Sequence, residues 1–274
     1  MNLLILSSEK QFEVDRILEE ARKRKHHAEF MKLSAKTSPK TAEFDAVLFR
    51  AIEGHVGKAE SIAKKFSDQG KTIVDEKIAK NIDRNKMQNY ELFEKSRLYV
   101  PPTEYFTRKN KGKILAFDSD YIVLKPVHGK RGRGIRRIRK NMVEAHLRKT
   151  RGKQCIAQEF AEIKKEYRVY VVGYRAIGAM EKVSDSWIHN IYQGAKPRKT
   201  RLPRKVKTAA IKASRTVQTE IAGVDIGLTD KGLFIIEVNR SPGFRAFESL
   251  GNNFAEKVLG YVEKKNSQNT RTKK

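Results

Sequence analysis

Two apolar runs near the carboxy terminus, GVDIGL (223–228) and GLFIIEVN (232–239), each carry an acidic residue among β-branched neighbours. Strands this apolar must be covered by other elements, and a buried carboxylate is costly unless something compensates its charge. Joined as a hairpin with a three-residue turn at Asp230-Lys231-Gly232, the runs place Asp225 opposite Glu237, with Asn239 two residues further along the same face. Two carboxylates and an amide oxygen make a hard donor set, suited to Mg2+ or Mn2+ holding nucleotide phosphates. The same alternation also describes an exposed polar strand face opposite a buried one, so two readings of these residues stay open.

A chain of 274 residues can bury a substantial core, and its 39% hydrophobic content falls in strand-like and helix-like clusters along most of the length. No window approaches the roughly 20 apolar residues that span a bilayer, and the leading run Leu3 to Leu6 is too short for a signal segment. Cys155 is the single cysteine, which removes an intrachain disulfide framework and a cysteine-cluster zinc site; it reads as a buried small hydrophobe. A cytoplasmic protein without a membrane partner is expected. Its 59 Lys and Arg against 32 Asp and Glu give a formal charge of +27. Twelve basic residues and one acidic lie between Lys125 and Lys153, and seven basic with none acidic between Lys196 and Lys207. Charge runs are often solvated faces, but a field this concentrated also attracts phosphate, nucleic acid or an acidic peptide, and weakens with salt.

The opening reads as a β-α unit, a strand from Asn2 to Leu6 and a helix from about Glu9 to His26. FDAVLF (44–49) is a second strand, Val56 to Phe66 a helix and Thr72 to Val74 a short strand. A boundary near residues 81–83 separates this unit from a helix over 84–95, which ends before Pro101-Pro102. YIVLKP (121–126) leads through a glycine-rich loop to a strand at Ile135–Ile138, a helix from about Asn141 to Arg151 and the strand QCIAQEF. YRVYVVG and YRAIGAM form a hairpin about Gly173. A helix from about Arg204 to Ile221 aligns Val206, Ala210, Ala213, Val217 and Ile221, and a closing helix spans about Asn253 to Lys264. Residues 266–274 read as a basic flexible tail.

In the loop His128-Gly-Lys-Arg-Gly-Arg-Gly134, Gly129, Gly132 and Gly134 allow backbone amides to approach a phosphate, and Lys125 adds a cation at the strand's end. A plain basic hairpin loop has the same appearance. No Gly-Lys-Ser/Thr opens a helix, the glycine spacing is not that of a dinucleotide fingerprint, and the histidines lack H-E-x-x-H.

Taken in order, FDAVLFR, DRNK (83–86), KPVHGKRGRGI, QEF, EYRVYVVG, AGVDI and IIEVNRSPG resemble the RimK-like branch of the ATP-grasp ligases, the ribosomal-protein glutamate ligases and their relatives. The resemblance covers most of the chain. It implies an α/β protein of α+β lobes: a pre-ATP-grasp α/β domain over 1–82, then an ATP-grasp domain over 83–265 whose two lobes clasp ATP. Position by position, it puts Lys86 and Lys125 with Gly132 and Gly134 on phosphates, Glu159 and Phe160 on adenine through backbone groups, and Glu166 on the ribose. His189 and Asn190 would lie near the phosphates, Arg168 at the reacting phosphoryl or acyl group, and Asp225, Glu237 and Asn239 on two Mg2+ or Mn2+ ions. Three departures stand out. The segment 181–190 is shorter than its counterpart, with Ile188 where an arginine is usual; Glu166 replaces an aspartate; Arg240 replaces a small residue. Arg240 would bind the substrate carboxylate, or else form a surface pair with Glu248.

The expected activity is ATP-dependent carboxylate-amine ligation through an acyl phosphate. An amino acid, glutamate-like, would be added to an acidic small molecule, peptide or protein tail, with Arg131, Arg133, Arg136 and Arg137 steering the acceptor. The rivals are a nucleic-acid-binding protein on an inactive ATP-grasp scaffold, which would make nucleic acid the partner, and an ATP-grasp phosphotransferase. The sequence names neither the amino acid, the acceptor nor the oligomeric state.

Overall fold

Leu3 to Leu6 are completely buried because the strand they form is covered on both faces. A computed structural model of the chain describes residues 1–80, 85–129, 132–150, 154–188, 191 and 194–271. The amino-terminal layer runs β1 (Asn2–Ser7), α1 (Phe12–Lys23), β2 (His27–Lys32), β3 (Ala46–Phe49), α2 (Val56–Asp68) and β4 (Thr72–Val74). Its sheet is parallel, in the order β2-β1-β3-β4. Leu4 and Leu6 pack on Ile62 and Phe66 of α2, and Leu3 and Ile5 on Val14 and Ile17 of α1. Strand β2 was not anticipated: with Lys32, Glu29 and two histidines nearby, it lacks the apolar run that marks its neighbours.

The second layer follows α3 (Lys86–Lys95), whose start is fixed by a capping box between Asn85 and Gln88. It comprises β5 (Thr103–Tyr105), α4 (Lys111–Leu115), β6 (Tyr121–Pro126), β7 (Arg136–Arg139), α5 (Val143–Lys149) and β8 (Cys155–Glu159), ordered β5-β8-β6-β7. Ile122, Leu124, Ile138 and Ala157 turn toward Ile114 of α4 and Leu147 of α5, which leaves the alternate residues Val123, Lys125 and Gln158 on the opposite face.

The third layer holds β9 (Lys165–Val172), β10 (Arg175–Val183), β11 (Lys196–Lys199), α6 (Arg204–Thr216), β12 (Ile221–Thr229) and β13 (Gly232–Asn239), in the antiparallel order β11-β10-β9-β12-β13. Val169, Val171, Val224 and Ile226 face Val206, Ala210 and Ala213 of α6, while Tyr170 and Val172 meet the aromatic cluster of Phe244, Phe247 and Phe254. In the β9-β10 turn, Gly173 and Tyr174 both have positive φ (56° and 60°), and a side chain at 173 would collide with the Tyr261 ring. Helix α6 stops four to five residues short of expectation. Val217 caps it, Gln218 turns the chain at φ 55°, and Ile221 opens β12.

After α7 (Arg245–Glu248), the last helix α8 (Phe254–Arg271) packs on α1 and β4. The expected flexible tail is therefore corrected over 266–271. The helix continues because Asn266 and Asn269 bond Thr72, and Asn269 also donates to Gly70 O.

A buried polar seam joins the amino-terminal layer to β12. Asp75 accepts from the backbone N–H of Glu220 (2.6 Å) and Ile221 (3.3 Å), and Glu220 accepts from Tyr261 and Lys265. Burial, then the Glu220 carboxylate, push the Asp75 carboxyl up to about 6. A carboxyl raised in the folded state stabilises fully below its unfolded value and loses that contribution as pH rises through 6. Asp75→Asn keeps the acceptor oxygen and cannot ionise. It should match wild type in thermal unfolding near pH 4 and exceed it at pH 7.5, by at most roughly 3 kcal/mol. An equal gap at both pH values would remove this account of the seam.

Candidate active site

Strand register assembles the charged centre. Lys182 of β10 lies opposite Glu166 of β9, Arg168 of β9 opposite Asp225 of β12, and Asp225 opposite Glu237 of β13. The Asp225–Glu237 pairing is the expected one, but it is reached differently. The turn is a two-residue Asp230-Lys231 connection, with Thr229 already paired to Gly232. A bulge at Ile236 then shifts the register by one and restores the carboxylate pair. The bulged residue's carbonyl accepts from Tyr90 Oη at 2.9 Å, which ties the irregularity to α3.

Arg168 holds Asp225 in two parallel bonds, Nε to Oδ1 at 2.8 Å and Nη2 to Oδ2 at 2.7 Å, and the same Nη2 lies 4.0 Å from Glu237 Oε1. Lys182, itself buried, pairs with Glu166 and lies 3.1 Å from Asp225 Oδ2. Burial alone would lift the Asp225 carboxyl, but Arg168 and Lys182 outweigh it and hold it well below the ordinary carboxylate range. Glu166 shares Lys182 with Asp225, and burial pushes its carboxyl up to about 7. The cost of a buried carboxylate pair is thus met by protein cations, so that cost alone does not require a metal. Among the described residues, no three His, Cys, Asp or Glu side chains converge as a metal site. The donors that remain are Glu237, which is partly exposed, and Asn239, whose Nδ2 donates to Glu237 Oε1 at 2.9 Å. Their oxygens beside a cationic wall suit a divalent ion that arrives with phosphates, with Asp225 held behind them.

Of these residues, Glu166, Lys182, Asp225 and Glu237 line one end of a cleft between the second and third layers. Its other end is apolar, walled by Val123, Phe160, Trp187, Ile188 and Phe234. At the charged end, Lys125 Nζ donates to Gln158 Oε1 (2.6 Å) and Tyr90 Oη (3.3 Å), and Lys86 Nζ donates to Gly129 O (2.8 Å). Burial lowers the Lys86 pKa, with Glu237 opposing. A planar base against the apolar wall and an anionic tail toward Lys86, Lys125 and Lys182 would match this polarity.

Several expected site residues are repositioned. The N–H groups of Glu159 and Phe160 are spent on Pro102 O (2.8 Å) and Tyr121 O (3.1 Å), which leaves their carbonyls as the backbone groups to meet a base. The Glu159 carboxylate accepts from Asp118 N. Gly132 lines the cleft, whereas Gly134, at φ 77°, packs over Pro126 as a turn residue. Arg137 does not project as a steering residue. Its guanidinium lies over Tyr121, Phe160 and Trp187 at 5.0, 5.0 and 5.4 Å from the ring centroids. His189, Asn190 and Arg131 fall outside the described residues.

Arg240 lines a second cleft of about 1430 Å³, with Asn85, Asn89, His128 and Ser241, and its charge reaches Asp75. The alternative partner Glu248 bonds Arg16 and the backbone N–H groups of Phe254 and Ala255. The loop carrying Arg240 is docked on the amino-terminal layer: Arg50 Nη2 donates to Pro242 O (2.8 Å) and Ala51 N to Ser241 Oγ (3.0 Å). Lys86, Tyr90 and Glu237 line both clefts, so the two meet at Glu237.

Sequence reasoning missed Lys182, Tyr90, Gln158 and Trp187. Lys182 carried a signal, a lysine following Ala179 and Met180 in an apolar strand, but charged strand residues ordinarily read as outward-facing. Trp187, the chain's single tryptophan, offered no periodic pattern.

The RimK-like ATP-grasp domain matches residues 83–262. The tetrahydromethanopterin:alpha-L-glutamate ligase of Methanococcus maripaludis is 30% identical over 193 residues, 65% of this chain and 66% of that protein. A probable alpha-L-glutamate ligase of Cellvibrio japonicus is 29% identical over 234 residues, 80% of this chain and 76% of that protein. Among solved structures, the ATP-grasp ligase PsnB complexed with a precursor variant, Mg and ADP superposes with a TM-score of 0.75 at 17% identity, covering 96% of this chain and 98% of that one. The fold is therefore the ATP-grasp fold. No helix among the described residues is long and apolar enough to cross a membrane. With the domain match spanning most of its length, the chain belongs to the RimK-like ATP-grasp family of carboxylate-amine ligases.

Proposed function

We propose that the chain joins an amino acid, glutamate-like as in the names of its relatives, to an acidic acceptor, with ATP cleaved to ADP and phosphate. The observation that carries this reading is the meeting of two clefts at Glu237, one polarised for a nucleotide and the other open to a second substrate. In the first step a carboxylate oxygen bonds the γ-phosphorus while ADP departs. In the second an amine nitrogen bonds the acyl carbon, phosphate leaves, and the nitrogen loses a proton. Negative charge accumulates between groups that repel one another, and cations fixed in advance lower that barrier.

In this reading Lys86 and Lys125, which line the first cleft, would bind phosphates, and Arg168, 4.0 Å from Glu237, would offset the charge that develops there. Glu166, paired with Lys182, would on the same reading receive the ribose, and Arg240 would bind a carboxylate in the second cleft. A divalent cation bound with the nucleotide, Mg2+ as in the PsnB complex, would be held by Glu237 and Asn239 and would neutralise phosphate charge. Whether one ion or two bind is readable from metal titration of the nucleotide complex. The test is to incubate the protein with Mg-ATP, single amino acids and acidic peptides, measuring ADP release and the intact mass of the product. An acceptor mass increased by one amino-acid residue with stoichiometric ADP is expected. A stable phosphorylated product, or no ADP in any mixture, would overturn the reading. Nucleotide binding is measurable separately, because Trp187 lines the cleft and should report occupancy by fluorescence.

A further inference from the structure

From Lys196 to Arg215 the chain carries nine basic residues and no acidic one. The structure spreads them over edge strand β11, the connection at Arg201 and the outer face of α6, and all nine are exposed. Arg198 pairs with Glu181 (2.6 Å). Among the described residues, Arg204, Lys205, Lys207 and Lys212 form no ion pair, and Arg215 lies over the Tyr174 ring. Charged lysines on β11 alone would be ordinary protection of a sheet edge, and Pro197 fits that role. Helix α6 has no edge to protect. Exposed helices usually intersperse both signs, and a face of one sign repels itself unless an anion covers it.

The inner side of α6 fixes where this face leads. Val206, Ala210 and Ala213 are buried on the third sheet, α6 also touches α3, and Val217 and Thr219 just beyond its end line the second cleft with Asn85 and Asn89. The cationic face thus runs along about 16 Å of helix toward the cleft that meets Glu237.

We infer that the outer face of α6, with β11 beside it, is the docking surface for an acidic segment of a polypeptide acceptor, whose reacting end enters the second cleft. Identifying the occupant as an acceptor rests on the ligase reading above. A polypeptide is favoured over nucleic acid because the stretch itself has no aromatic side chain on which a base could stack, the adjoining Tyr174 ring being covered by Arg215, and because a peptide chain can follow the helix and still present its end to the cleft.

The test uses the full chain and needs no turnover, so it separates from a failure of the ligase reading. A fluorescein-labelled twelve-residue glutamate-rich peptide is titrated with wild type, with Lys205→Glu/Lys212→Glu, and with Lys64→Glu/Lys65→Glu on α2 as a control for net charge. Anisotropy is read at two salt concentrations, and an RNA of equal length is the competitor. Expected is a Kd raised by about tenfold or more in the α6 variant, and much less in the α2 control, with affinity falling as salt rises and Trp187 fluorescence still responding to Mg-ATP. Equal loss in both variants, or unchanged binding in the α6 variant, would overturn the proposal. So would RNA displacing the peptide at lower concentration than unlabelled peptide does, which would make this a nucleic-acid face.

Discussion

Glu237→Gln should lower the rate of ADP formation by at least about 10³-fold while leaving the fold intact. The size follows from position. Glu237 is the carboxylate common to both clefts, it accepts from Asn239, and its Oε1 is 4.0 Å from the Arg168 guanidinium. Gln preserves shape and one acceptor oxygen but removes the charge, so an electrostatic role fails and a packing role survives. The stability cost should stay within about 0.5 kcal/mol, because the side chain is partly exposed and outside the apolar clusters. The pair of measurements is ADP release under saturating substrates and the urea midpoint. Mg-ATP binding read from Trp187 should weaken less than turnover, since Lys86, Lys125 and the apolar wall remain. Turnover near the wild-type level would sink the assignment of Glu237 and, with it, the claim that chemistry occurs where the clefts meet.

The hairpin carrying that residue was legible because β-branched alternation and a turn signal are local properties of the chain. Its exact register was not, since the two-residue turn and the bulge at Ile236 depend on α3 packing across the strand, where Tyr90 bonds the Ile236 carbonyl. Strands β2 and β11 escaped for a related reason: at sheet edges their pairing comes from a neighbour, and KPRK reads as a charge run. The overextended α6 arose from a helical spacing that continues by coincidence through Val217 to Ile221, whereas Gln218 in the left-handed region begins the seam at Glu220. Asp225, Glu237 and Asn239 were found from the strand pattern, but their counter-charges were not. Arg168 was placed only by resemblance, and Lys182 was missed, because the pairing of a buried cation is fixed by which strands become neighbours. β9 sits between β10 and β12, and that order alone brings Lys182, Glu166, Arg168 and Asp225 side by side. Arg137 illustrates the reverse error, in which a charge assigned to steering is used instead to cover Tyr121, Phe160 and Trp187.

Arg168→Gln separates what this charge row does for stability from what it does for chemistry. Removing the guanidinium leaves Asp225, 2% exposed, with Lys182 at 3.1 Å as its one ion-pair partner among the described residues, and breaking a buried bidentate pair typically costs about 3–5 kcal/mol. The lower end, about 3 kcal/mol in urea unfolding at pH 7, is expected because Lys182 remains. The pH dependence follows from the depressed Asp225 carboxyl. A lowered folded-state value contributes stability above the unfolded value and loses it as pH falls toward the folded one, so the gap between wild type and Arg168→Gln should narrow below about pH 4. Adding Asp225→Asn removes the orphaned charge and should restore stability to within about 1 kcal/mol of wild type. Restored stability should not restore ADP release, because Arg168 is also the cation nearest Glu237 among those facing Asp225. A double variant that is both stable and active would mean that the Arg168–Asp225 pair is only a strut between β9 and β12, and that the cations acting on the phosphates are Lys86, Lys125 and Lys182 alone.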